Sequence, residues 1–115
     1  MKVYGIKNCD TMKKAMNWLT DNDVAYEFVD YKKAGVAEAN LPDWNQRAGW
    51  EKLLNRQGTT WRKLDDSTKA AVTNARSARA LMLAQPSVIK RPVVEWSAST
   101  VTVGFDAADW KTRLK

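Results

Sequence analysis

Residues 3–30, VYGIKNCDTMKKAMNWLTDNDVAYEFVD, decide the fold. Val3 to Ile6 is a short apolar run closed by the polar pair Lys7-Asn8, too short for a helix and suited to a buried strand. From Thr11 onward Met12, Ala15, Met16 and Leu19 recur at helical spacing, with Lys13, Lys14, Asn17 and Asp21 on the other side. This predicts an amphipathic helix of about three turns, broken by Asn22-Asp23. Val24 to Asp30 then reads as a second strand, rich in β-branched and aromatic residues. A strand, a helix and a strand in so short a span form a βαβ unit with parallel strands.

Working outward, the centre of the chain is helical. Glu38 to Arg47 and Trp50 to Leu54 carry short helical patterns separated by Gly49, which suits a helix end. Pro42 is expected in the first turn of its helix, the place where a missing N–H costs least. Asp65-Asp66-Ser67 offers caps before Lys69 to Val72, and Ala75 to Leu83 continues in good helix formers as far as Gln85-Pro86. Beyond it, Pro92 to Glu95 and Thr100 to Val103 are β-prone runs spaced for a hairpin, and Asp106 caps a last helix carrying Ala107, Trp110 and Leu114. The layout is βαβ, a helical insertion at about residues 36–85, then ββα. That is the thioredoxin ground plan: an α/β protein with a mixed four-stranded sheet, read as one domain over residues 1–115.

The composition agrees with a folded protein and narrows its chemistry. Hydrophobic residues make up 44% and charged residues 28%, unlike a disordered chain. No apolar stretch approaches the ~18 residues of a membrane span, and neither a secretory signal nor an anchor is expected. With one cysteine and no histidine, an internal disulfide and the ordinary zinc sites drop out, and a reducing cytoplasm is the expected compartment. The net charge of +6 favours anionic partners. The basic residues are scattered, without the runs or aromatic-basic motifs of nucleic-acid modules, so no direct nucleic-acid contact is expected.

Cys9 falls where the first strand runs into the first helix. Unpaired amides and the helix dipole favour an anion there, so a thiolate is stabilised and its pKa falls below the usual value of about 8.5. Lys7 and Lys13 add positive potential and Asp10 opposes it. Position alone leaves two readings open: a reactive thiol, or a small apolar side chain filling space.

Four segments carry a resemblance to a known family: Gly5 to Thr11 around the cysteine, Arg56 to Leu64 in the insertion, Pro86 to Val94 before the hairpin, and Val103-Gly104-Phe105 at its end. In this order they resemble the arsenate reductase (ArsC)/Spx family of thioredoxin-like proteins, and its YffB-like branch most closely. The resemblance implies a nucleophilic Cys9 and places Arg91 opposite it as an oxyanion-binding guanidinium. It implies a cis Pro92, and draws Lys7, Asn8, Thr11 and Arg56 into the binding site. Thr59 and Thr60, next to Arg56, are weaker candidates, because threonines near a glycine commonly close a turn.

The departures from the family pattern bear on function. Arsenate reductases of this type carry two further arginines, and Gly104 stands where one of them falls, while the other aligns nearer Asn55 than Arg56. Spx regulators hold a second cysteine three residues after the first, where this chain has Met12. The expected activity is therefore that of an arsenate reductase-like thiol oxidoreductase with one thiol, no bound cofactor, and glutathione as co-substrate or an oxidised thiol as substrate. The alternative is an Spx-like module without a disulfide switch that docks on RNA polymerase through the helical insertion, Gly49 matching a glycine of that contact. Trp50, Trp61 and Trp96 are read as core or partly buried covers.

Overall fold

The computed structural model describes residues 1–114; Lys115, the end of the domain read above, lies outside the described residues. The chain divides into two compact units, residues 32–90 and the two flanking stretches before and after them.

The flanking stretches build the sheet. Its strands are β1 (Lys2–Gly5), β2 (Glu27–Asp30), β3 (Val93–Glu95) and β4 (Val101–Val103), in the spatial order β2-β1-β3-β4. β1 pairs parallel to β2, with Val3 opposite Phe28, and antiparallel to β3, with Val3 opposite Val94. β3 and β4 form the antiparallel hairpin. Helices α1 (Asp10–Asp21) and α7 (Ala107–Arg113) complete this unit. Asp106 accepts from the Asp109 N–H and so caps α7.

The apolar face of α1, with Met12, Ala15 and Leu19, packs into one cluster with Val3, Val94 and Trp110. Trp110 is the centre of an aromatic group in which Trp18, Trp96 and Phe105 each meet its ring edge-on, the arrangement favoured by ring quadrupoles. Trp96 thus belongs to this group, and its indole N–H donates to Thr102 Oγ1 at 2.8 Å. Three of the four β1 residues are buried, so the strand is covered on both faces and does not show the alternation of a half-exposed strand.

Unit 32–90 contains α2 (Val36–Ala48), α3 (Trp50–Leu53), α4 (Thr59–Arg62), α5 (Asp66–Ala70), α6 (Ala75–Ala84) and a 3-10 turn (Pro86–Val88). Among the described residues its β structure is a single bridge between Leu54 and Ile89. α6 starts from a reciprocal capping box: Asn74 accepts from the Ser77 N–H, and the Ser77 hydroxyl accepts from the Asn74 N–H.

Several boundaries differ from the sequence expectation. α2 begins at Val36, so Pro42 lies inside the helix and not in its first turn. The Glu38 carbonyl loses its helical donor there, and the helix persists because Ala37, Leu41 and Trp44 are buried along one side. β2 begins only at Glu27, since the Val24 N–H is used by the Leu19 carbonyl at the end of α1. Thr59 and Thr60 open the short helix α4 and do not close a turn. Gly49 has φ of 91°, a backbone conformation that disfavours any side chain, and it ends α2 for that reason.

Gly5 fixes how closely α1 approaches β1. A Cβ at this position would overlap the Sδ and Cε atoms of Met12, which is buried in the cluster. Gly5→Ala is expected to cost about 1–3 kcal/mol in a denaturant titration. Combined with Met12→Ala it should cost clearly less than the sum of the two single changes, because both act on the same space.

Candidate functional site

The loop from β1 into α1 sets the position of Cys9. Asn8 has φ of 61°, in the left-handed region that asparagine enters more readily than most residues. This turn delivers Cys9 in an extended conformation as the residue before the helix, with its carbonyl accepting from the Lys13 N–H at 2.9 Å. α1 starts at Asp10, one residue earlier than the apolar periodicity indicates, which makes Cys9 the N-cap.

The second arm of the site comes from the start of the hairpin. The Arg91–Pro92 peptide bond is cis, Pro92 is buried, and its carbonyl accepts from the Gly104 N–H at 2.9 Å. Arg91 Nε donates to Cys9 Sγ at 3.3 Å, and Arg91 Nη1 donates to the Tyr31 hydroxyl at 3.3 Å. Tyr31 is fully buried and sits at the carboxyl end of β2, where its N–H donates to the Gly5 carbonyl at 3.1 Å. The guanidinium is thus held between the Cys9 sulfur and the Tyr31 hydroxyl, two groups from distant parts of the chain.

Electrostatics follow from this geometry. Burial acts to raise the Cys9 pKa and is the largest single influence on it, but it is outweighed by the Arg91 hydrogen bond, the Met12 amide, the Arg91 charge and the Thr11 amide together. The thiol is consequently held below its ordinary value. Sγ makes no regular capping hydrogen bond to the helix, so the two amides act as oriented dipoles and Arg91 as the direct donor. Burial likewise opposes the charge of Arg91, yet its bonds to Cys9 and Tyr31 keep its pKa above the usual arginine value. Burial pushes the Tyr31 phenol up against the influence of Arg91, so it remains neutral at physiological pH.

The other sequence-predicted residues fall in different places. Lys7, Asn8 and Thr11 are exposed on the loop and first turn beside Cys9. Arg56 belongs to unit 32–90, where its guanidinium lies over the rings of Trp50 and Trp61, 5.5 and 5.8 Å from their centres. Those two tryptophans therefore serve as faces for a cation. Asn55 acts locally, its Oδ1 accepting from the Gln57 N–H to close a turn. Gly104 has φ of 89°, which an arginine at that position would adopt only with strain.

Tyr31 does not stand out in the sequence, because a tyrosine after an apolar strand usually signals packing. Its position at the carboxyl end of a parallel strand, the edge of an α/β sheet where ligands bind, is the signal that points to it. Among the described residues no cluster of acidic, cysteine or histidine side chains suits a metal ion, and no helix is long and apolar enough to cross a membrane.

The sequence profile of the ArsC family matches residues 4–113. An uncharacterized protein of Haemophilus influenzae is 35% identical over 109 residues, covering 95% of this chain and 94% of that protein. Among solved structures, one named YffB superposes with a TM-score of 0.89 at 48% identity, covering 99% of this chain and 98% of its own. An arsenate reductase (ArsC) related protein from Brucella melitensis superposes with a TM-score of 0.77 at 50% identity, covering 99% and 93%.

The depressed thiol pKa has a measurable consequence. Alkylation of Cys9 by iodoacetamide, followed against pH, should show its midpoint below about 8.5, the free-thiol value. Arg91→Ala should move the midpoint up, and Tyr31→Phe should move it in the same direction by less. Stability follows the same sign: the folded thiol binds its proton less tightly than the unfolded one, so stability rises with pH between the folded and unfolded values. This contribution is lost as pH falls through the folded value, and the rise should shrink in Arg91→Ala.

Proposed function

The chain belongs to the ArsC family, and from that membership we propose that it is a monothiol reductase in which Cys9 is the nucleophile and glutathione the resolving thiol. The observation that carries this reading is the 3.3 Å hydrogen bond from Arg91 Nε to Cys9 Sγ. A fixed cation and two helix amides favour the thiolate, the form that attacks sulfur.

The proposed cycle has two exchanges. The Cys9 thiolate attacks the glutathione sulfur of a mixed disulfide, forming a Cys9–glutathione disulfide as the substrate sulfur leaves as a thiolate, which takes a proton from water. A second glutathione, as thiolate, attacks the glutathione sulfur of that adduct, which releases oxidised glutathione and restores the Cys9 thiolate. Overall the substrate sulfur is released as a thiol, the one incoming glutathione is oxidised, and it leaves joined by a disulfide to the glutathione that the substrate carried. With Met12 three residues after Cys9 and no other cysteine in the chain, the second step draws on another molecule. The carboxylates of glutathione suit a site bordered by Arg91 and Lys7 on a chain of net charge +6.

Arsenate is the poorer substrate on this reading. With Gly104 in place of an arginine, one donor to the oxyanion is missing, and losing such a donor costs roughly 10²- to 10³-fold in rate.

Turnover of a glutathionylated peptide, coupled to reduction of oxidised glutathione, tests the proposal. The rate should rise with added glutathione, and Cys9→Ser should abolish it. Arg91→Ala should lower kcat/KM by roughly 10- to 100-fold, the equivalent of the ~1.5–3 kcal/mol of a hydrogen bond to a charged group. Turnover independent of added thiol, or arsenate reduction as fast as disulfide reduction, would refute the mechanism.

A further inference from the structure

Helices α2, α3 and α6 border a cavity of about 380 Å³ within unit 32–90. Its wall is largely apolar, with Leu41, Met82 and the Trp50 ring, and Arg76, Arg79 and Asn45 stand on it as well. The volume falls at the lower end of the range of about 300–1,000 Å³ for small-molecule sites.

The polar groups around this cavity are almost all donors, and among the described residues none has found an acceptor. Arg76 and Arg79 are exposed and form no ion pair or hydrogen bond among the described residues, unlike Arg47 and Arg113, which pair with Asp43 and Asp109. The Trp50 indole N–H and the Asn45 carboxamide also have no partner among the described residues. Among the described residues no aspartate or glutamate lines the cavity. The two arginines are three residues apart on α6 and so share a face, and the capping box at Asn74 and Ser77 fixes where that helix begins.

An apolar interior bordered by two unneutralised guanidinium groups is complementary to one kind of ligand. We propose that this cavity binds a small organic anion: a carboxylate carried on an aromatic or branched apolar body, the body against Leu41, Trp50 and Met82 and the carboxylate on Arg76 and Arg79. Guanidinium groups suit such a ligand because their planar donors match both oxygens of a carboxylate. The cavity's residues all lie in unit 32–90, and binding there is independent of the Cys9 thiol.

A titration of the isotopically labelled protein with 4-phenylbutyrate and with 2-naphthoate, followed by amide and indole NMR shifts, tests the proposal. At least one of the two acids should give saturable shifts at Asn45, Trp50, Arg76 and Arg79 at millimolar concentration or below. The matching neutral amide should bind at least about tenfold more weakly, the ~1.4 kcal/mol expected of a charge-assisted contact. Arg76→Gln combined with Arg79→Gln, whose own spectrum reports whether it stays folded, should weaken the acid by a similar or greater factor. Cys9→Ser should bind it unchanged. Non-saturating shifts with both acids, equal binding of acid and amide, unchanged binding in the folded double variant, or shifts centred on Cys9 and Arg91 would each overturn it.

Discussion

The contact between the Arg91 guanidinium and the Cys9 sulfur joins residues 82 positions apart, and the chemistry proposed for this protein depends on it. A half-buried thiol in an apolar setting would ordinarily keep its proton, since burial penalises the charged form. Here Cys9 packs against the cluster around Met12 and Trp110, so burial does act against the thiolate. One fixed positive charge, with the two helix amides, reverses the balance.

That contact is held from three directions. The left-handed turn at Asn8 and the close approach of α1 at Gly5 place the sulfur. The cis peptide at Pro92, tied to Gly104 across the hairpin, places the backbone of Arg91. Tyr31 holds the far side of the guanidinium, so that Nε faces the thiol while Nη1 is engaged elsewhere. Each support belongs to the sheet unit, and all three lie at the edge where β1 and β2 end. Gly104 serves this framework through its positive φ and its amide.

Much of this arrangement is legible in the sequence, because strand–helix–strand periodicity in residues 3–30 and paired β-prone runs near the end are strong local signals. Periodicity also places Cys9 at the mouth of a helix. It does not locate the helix start to the residue, since Asp10 is exposed and adds nothing to the apolar pattern. Pro42 escapes the local rule because burial of Leu41 and Trp44 overrides a penalty that such rules weigh more heavily. The pairing of Arg91 with Cys9 comes from family resemblance alone, as no local rule links residues so far apart. Tyr31 and the turn role of Asn55 emerge only from three-dimensional placement. The same holds for the cavity between α2, α3 and α6, where residues from three helices converge.

The central claim is that Cys9 is a thiolate poised for exchange with glutathione. Intact mass of the protein after incubation with oxidised glutathione near neutral pH tests it most directly, because the chain has a single cysteine and any adduct is assigned without ambiguity. The account predicts one glutathione per chain, formed faster than on Arg91→Ala and removed by excess reduced glutathione. A thiol that stays unmodified in the folded protein and reacts only after unfolding would contradict it.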